Sequence, residues 1–292
     1  VEQPDRGEMI EWLGSARSAA SALGGKGASL DRLGRMGFRI PPGFCLTTTA
    51  FRTQLDAVAG SIMDTAAAKR MECEPLETAV ALPLAEAVAR LCELTREAGQ
   101  AAARFAVRSS AIGEDGLDAS YAGLHETELG VAPDGVDAAV RRCWASLWSA
   151  PAMAYRARRG LPLDGGAMGI VVQALVPADA AIVAFTRHPV TGRADQLVIT
   201  AVRGLGDAMV SGTVTPDTFV VDRDSRAVID FSPGEGGSGP AIGGPVLEEL
   251  VDLILRVEAG FGAPVDIEAA VAGGTWYLLQ ARPITTGSAM PT

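Results

Sequence analysis

The spacing of apolar residues changes part-way along the chain. In the first half, Leu30, Leu33 and Met36 fall on one helical stripe that Gly37 closes, and residues 84–98 repeat the pattern. Residues 134–159 predict further helices. Pro41-Pro42-Gly43 forces an extended turn, and Thr47-Thr48-Thr49 stands where it can cap the next helix. Phe105-Ala106-Val107 predicts a short strand that ends by delivering Arg108, Ser109 and Ser110. From Gly169 the pattern becomes strand-like, in runs at 169–176, 181–186, 196–202, 218–222 and 227–230 separated by turns. After the Gly/Pro-rich stretch Pro233–Gly244, Val246, Leu247, Leu250, Val251, Ile254, Val257 and Phe261 mark one more amphipathic helix. The pattern predicts an α+β chain, its second half mostly sheet with one prominent helix. Two domains are expected, residues 1–180 and 181–292.

The end of the chain predicts a hairpin. Val265-Asp266-Ile267-Glu268-Ala269 alternates apolar and acidic residues, Tyr277–Arg282 is its partner, and Gly273-Gly274-Thr275 supplies the turn. A turn centred on Gly274 sets Glu268 opposite Gln280 and Asp266 opposite Arg282, so the four side chains share a face. Val265, Ile267, Ala269, Leu279 and Ala281 then face a core. Carboxylate and amide oxygens together suit Mg²⁺ on a nucleotide, with an arginine beside them for phosphate. A solvated Asp–Arg pair on a surface hairpin fits the same pattern.

Composition narrows the class. The 292 residues are 48% hydrophobic and 21% charged, enough for a substantial core. A formal charge of −10, from 35 acids and 25 bases, disfavours a general nucleic-acid or membrane-surface role. Cys45, Cys73, Cys92 and Cys143 are scattered, which predicts reduced structural thiols and no zinc site. No apolar run reaches the ~18–20 residues of a membrane span, and the acidic start is unlike a signal peptide. A soluble, cytoplasmic protein is the expectation.

Several motifs point to phosphate. Gly24-Gly25-Lys26-Gly27 offers backbone N–H groups, a helix start and a lysine, although it lacks the P-loop spacing and also fits a surface turn. Arg108 presents a guanidinium with hydroxyls beside it, or pairs with Glu114 or Asp115. The loop Gly113–Gly123 suits a lid or an ordinary connection. Thr186–Gly192 and Gly204–Ala208 are turns at strand ends, where open sheets often bind ligands, and Thr215-Pro216-Asp217 is a turn with a capping acid. The two histidines, His125 and His188, are candidates for a general base or for hydrogen-bonded turn residues.

Taken in order, Gly24–Leu30, Ile40–Phe44, Val107–Ala111 with Ala119–Thr127, Phe185–Gly192, Gly204–Asp217 and Asp266–Thr285 resemble one family. It is the N-terminal nucleotide-binding domain of phosphoenolpyruvate synthase, pyruvate phosphate dikinase and rifampicin phosphotransferase. The resemblance covers nearly the whole chain and implies an ATP-grasp architecture, with two α+β lobes that clamp ATP (or GTP) and Mg²⁺. Carried over by position, Lys26 and Arg108 match residues that hold the phosphates, and Ser120–Gly123 matches a mobile phosphate-side loop. Glu268 and Gln280 match the metal pair, with Asp266 and Arg282 in support, and Gln173–Val176 matches the adenine-side strand. Two positions depart from the pattern. Ala181–Ala184 stands where glycine is usual, and Asp207 where glutamate is usual.

In that family a carrier histidine on a further domain takes the phosphoryl group, and no such segment follows Arg282-Pro283-Ile284-Thr285. The resemblance leads to the expectation of a standalone phosphotransferase acting on a hydroxyl of a small molecule, such as an aminoglycoside or another antibiotic or its precursor. Asp266 or His125 would accept the proton. The alternatives are a nucleotide-binding subunit or excised fragment of a dikinase that phosphorylates a carrier histidine with AMP release, and a catalytically silent nucleotide-binding protein.

Overall fold

Two antiparallel sheets organise the chain. The computed structural model describes residues 8–58, 65–99, 103–112, 127–159, 166–206, 209, 212–235 and 239–284. The chain divides into one unit of Val1–Arg32 with Pro42–Leu175, and a second of Leu33–Pro41 with Val176–Thr292. The α+β expectation holds in both.

In the first unit β1 (Ile10–Trp12), β2 (Gly43–Leu46), β3 (Phe105–Ala111), β4 (Thr127–Val131) and β5 (Met168–Ala174) form a sheet in the order β1-β2-β5-β3-β4. Its helices are α1 (Ala20–Arg35), whose last residues belong to the second unit, α2 (Thr48–Val58), α3 (Thr65–Cys73), α4 (Thr78–Glu97), α5 (Val136–Ala145) and α6 (Ala150–Arg159). Alternation sorts the strands into two faces. Phe44, Leu46, Phe105, Val107, Met168, Ile170 and Val172 join the main apolar cluster with Phe51, Leu91, Val140, Trp144 and Trp148. Within it Trp148 stacks on Phe51 at 6.2 Å and Trp144 meets the same ring edge-on at 5.8 Å. Most of the opposite positions are small or polar, namely Gly43, Cys45, Ala106, Arg108, Ser110, Gly169 and Gln173, with Val171 beside them.

Three expectations are corrected here. Arg108 is not at a strand end, because β3 continues to Ala111 and all seven of its residues are buried. Thr47 does not cap α2, since its hydroxyl donates to the Glu8 carbonyl at 2.8 Å. The helical stretch 134–159 is broken by a 3-10 turn at Ser146–Trp148.

The loop after β1 is fastened by two buried carboxylates. Asp31 Oδ1 accepts the N–H groups of Gly14 and Ala16, each at 2.9 Å. Glu11 accepts the N–H groups of Arg17 and Ser18 and the Ser18 hydroxyl. Burial pushes the Glu11 carboxyl up, but these bonds outweigh it and hold the group below its usual value. A depressed carboxylate stabilises the fold above its unfolded pKa, and that contribution disappears as pH falls through the folded pKa. Glu11→Gln should therefore melt below the wild type at pH 7, and the gap should close as pH falls below the ordinary carboxylate range. Melts across a pH series check this; a gap that persists at the acid end would count against it.

In the second unit β6 (Ala180–Phe185), β7 (Gln196–Arg203), β8 (Asp217–Asp222), β9 (Val228–Ser232), β10 (Val265–Ala272) and β11 (Thr275–Pro283) form a sheet in the order β11-β10-β6-β7-β8-β9. The expected helix is α7 (Pro245–Phe261), which packs on β10 and β11 through its apolar stripe. Pro245 opens it, and Gly262, with φ 70°, ends it in the left-handed conformation. The Leu278 N–H donates to the Arg39 carbonyl at 2.9 Å, so Leu33–Pro41 runs beside β11 and covers that sheet edge. Asp217 does not cap its own turn. Its carboxylate accepts the N–H groups of Gly234 and Ala241, fastening the glycine-rich loop to the start of β8.

Candidate functional site

On the first unit the glycine-rich segment is a break inside a helix rather than a turn before one. Gly24 has φ 72° and ψ 178°, a conformation essentially confined to glycine, and helical geometry resumes after it. Breaking the helix exposes the Leu23 carbonyl. That oxygen accepts the Ser110 hydroxyl at 2.7 Å and lies 3.3 Å from Cys45 Sγ. Ser110 Oγ in turn accepts the Gly27 N–H at 2.9 Å. The approach is close because Gly169 has no side chain: a Cβ there would stand 2.7 Å from the Leu23 oxygen. The segment holding Lys26 is thereby fixed on the face of β3 that carries Arg108, two residues before Ser110. Lys26 is half-buried, and Arg108 is buried on the strand. Gln173 shares that face across the β3–β5 pairing, where it is 2% exposed and its side-chain Nε2 makes no hydrogen bond.

On the second unit the hairpin has the expected pairs, reached by an unexpected route. Glu268 stands opposite Gln280 and Asp266 opposite Arg282. The turn, however, joins Ala272 to Thr275 directly, and Ala269 pairs with Leu278. A regular ladder from that turn would set Leu279 against Glu268 and Ala281 against Asp266. A β-bulge at Leu279 absorbs one residue and returns Gln280 and Arg282 to the acidic face. The expectation of Leu279 in the core is thus corrected: Leu278 is buried there and Leu279 is half-buried.

Arg282 Nε donates to Asp266 Oδ2 at 2.9 Å and Nη2 approaches the same oxygen at 2.8 Å. Burial raises the Asp266 carboxyl above its usual value, with the Arg282 pair opposing and the Glu268 charge adding to the rise. Glu268 is half-buried and the Gln280 side chain opposite it nearly enclosed. One carboxylate and one amide oxygen across a strand pair, with a second carboxylate two residues along, form a hard-oxygen donor set. It suits a Mg²⁺ ion that takes its remaining ligands from phosphates and water. Among the described residues no group of three or more His, Cys, Asp and Glu forms a metal cage.

Ser120, Gly123, His125 and Asp207 lie outside the described residues. His188 is a turn residue: its Nδ1 accepts the N–H groups of Val190 and Thr191 at 3.2 and 3.3 Å. Sequence reasoning missed the link from Ser110 to the helix break, for which the only sequence signal is a hydroxyl two residues after Arg108. No described helix is long and apolar enough to cross a membrane.

Comparison with known proteins agrees with the resemblance. Residues 20–236 match the model of the pyruvate phosphate dikinase, AMP/ATP-binding domain. The chain is 36% identical over 301 residues to the prodigiosin synthesizing transferase PigC of Serratia marcescens, covering 95% of this chain and 33% of that protein. It is 33% identical to a probable phosphoenolpyruvate synthase of Methanocaldococcus jannaschii, covering 97% and 27% respectively. It is 36% identical to a rifampicin phosphotransferase of Streptomyces sviceus, covering 92% and 35%. The chain thus spans about a third of the length of these relatives. A D-alanine–D-alanine ligase structure from Helicobacter pylori aligns over 76% of this chain and 62% of its own with a TM-score of 0.30 and 10% identity, a likeness too slight to argue from. The family match takes in most of the chain, including the glycine break, Arg108 and the first four of the six strands of the second sheet. With its α+β fold, the chain belongs to the pyruvate phosphate dikinase AMP/ATP-binding domain family.

Proposed function

We propose that this chain binds ATP or GTP with Mg²⁺ and starts the transfer of a phosphoryl group toward a small-molecule acceptor. The observation that carries the reading is the bulged hairpin, which turns Glu268, Gln280, Asp266 and Arg282 to one face although its tight turn alone would not. Glu268 and Gln280 would hold the metal ion, which when bound neutralises phosphate oxygens and polarises the transferred group. Lys26, Arg108 and Arg282 would balance charge that spreads over that group in the transition state. Gln173, buried with an unused amide donor, suits the nucleotide base. Ser120 and Gly123 keep the phosphate-side role that the resemblance assigns them, and Asp207, in place of the usual glutamate, remains a candidate for nucleotide binding.

In the first route a hydroxyl of the acceptor, on an antibiotic or its precursor, attacks the γ-phosphorus. The new P–O bond forms as the bond to the β,γ-bridging oxygen breaks, ADP leaves, and Asp266 or His125 takes the hydroxyl proton. In the second, a histidine of a separate or attached carrier attacks the β-phosphorus and takes the pyrophosphoryl group as AMP leaves. The terminal phosphate then passes to water or inorganic phosphate, leaving a phosphohistidine. A cytoplasmic setting belongs with either.

Phosphorus NMR of the protein with Mg²⁺ and ATP, with and without hydroxylated acceptors and a histidine carrier, separates them. ADP with a new phosphate ester supports direct transfer, and AMP with a phosphohistidine supports the relay. Absence of nucleotide binding by the pure protein would overturn the proposal.

A further inference from the structure

The strand beside the acidic hairpin ends in a cation that nothing above employs. We propose that Arg187 binds the phosphate chain of the nucleotide, a contact that rests on the nucleotide reading of the same face.

The argument begins with register. Val183 pairs with Glu268, which pairs with Gln280; two residues along, Phe185 pairs with Asp266, which pairs with Arg282. The pairing runs one residue past β6, because the Thr186 N–H donates to the Val265 carbonyl at 3.0 Å. On the far side of β10 the Ile284 N–H donates to the Pro264 carbonyl at 2.8 Å. The next position on the face of Glu268 and Asp266 is therefore Arg187, beside Pro264. Two strand residues span roughly 7 Å, so Arg187 starts within side-chain reach of a phosphate chain held at the Asp266–Arg282 row.

Its backbone is held before it. Thr186 is 1% exposed, and its Oγ1 accepts the Val265 N–H at 2.8 Å. Its carbonyl accepts Arg223 Nη1 at 3.0 Å, and Arg223 is ion-paired with the buried Glu258 of α7. Strand, helix and the β8–β9 turn thus converge on the residue that launches Arg187. Such support is what a ligand-positioning side chain needs.

Arg187 itself is half-buried, with its Nε enclosed and without a hydrogen-bond partner. Among the described residues no carboxylate pairs with it, although the chain has 35 acids to 25 bases. An enclosed guanidinium N–H left unmatched is costly, and a phosphate oxygen satisfies it with charge as well as geometry. The adjoining His188 is already spent on its own turn.

Calorimetry of ATP and adenosine, with Mg²⁺, on wild type, Arg187→Met and Arg187→Lys tests this. Methionine keeps the apolar stem, so the ligand-free melting temperature should stay near wild type. Arg187→Met should bind ATP about 10–100-fold more weakly, the loss of one or two charge-assisted hydrogen bonds, and adenosine within about twofold of wild type. Arg187→Lys should fall in between. Unchanged ATP affinity in Arg187→Met, or equal losses for ATP and adenosine, would overturn the assignment while leaving the nucleotide reading intact. Failure of the wild type to bind ATP would instead remove the reading on which it rests.

Discussion

Replacing Glu268 by alanine should lower phosphoryl turnover by on the order of 10²–10³-fold or more while leaving the fold intact. The two effects separate because of where the residue sits. Glu268 is half-buried on β10, opposite Gln280 and two residues from Asp266. Its charge contributes to raising the Asp266 carboxyl, so in the ligand-free protein the two acids repel. Removing one of them relieves that repulsion and empties no core position. The change in stability should stay within about 1 kcal/mol. Glu268→Gln keeps an oxygen donor without the charge and should recover only part of the rate. Turnover at saturating Mg²⁺, measured beside the melting temperature, decides the matter. Full activity in Glu268→Ala would remove the hairpin from the chemistry, and a collapse in stability would make the residue structural.

The hairpin also shows how far alternation reaches. Asp266, Glu268, Gln280 and Arg282 are legible as one face because acid and apolar residues alternate on β10. The pairing is right, yet it rests on a bulge at Leu279 that a strict two-residue period does not contain. A two-glycine turn and a bulge together give the same pairs as a regular hairpin centred on Gly274. Only the burial of Leu278 in place of Leu279 tells the two apart.

In the first unit the limit is different. β3 reads Phe-Ala-Val-Arg-Ser-Ser-Ala, and every residue is buried because the apolar cluster lies on one face and the broken helix α1 on the other. A strand covered on both sides has no alternation to read, so Arg108 was expected at its end. β1 and β2, three and four residues long, carry too little pattern to stand out. The long amphipathic helix α7 and the strands of the second sheet were legible for the opposite reason, since each repeats its period several times.

Replacing Gly24 by alanine should be among the most damaging single changes in the chain. Two costs add at this position. Its φ of 72° with ψ of 178° is strained for any residue with a side chain, and a Cβ would lie 2.5 Å from the Ser110 carbonyl carbon and closer still to its oxygen. The obstacle is backbone within a fully buried strand, so it cannot turn aside as a side chain would. Strain of about 1–3 kcal/mol and overpacking of a similar size together suggest a loss of about 2–5 kcal/mol. For a chain of this size each kcal/mol moves the melting temperature by roughly 2–4 °C. Nucleotide affinity should fall as well, because relief of the clash must lift the Gly24–Gly27 segment, and Lys26 with it, away from β3. Ser110→Ala provides the contrast. It removes the bonds to the Leu23 carbonyl and the Gly27 N–H without adding bulk, and should cost less than Gly24→Ala. The double variant Gly24→Ala with Ser110→Gly should remain as unstable as Gly24→Ala or become worse, since the carbonyl in the way is still present. Rescue by the glycine would show that the hydroxymethyl group, and not the strand backbone, fixes how closely the helix break can approach.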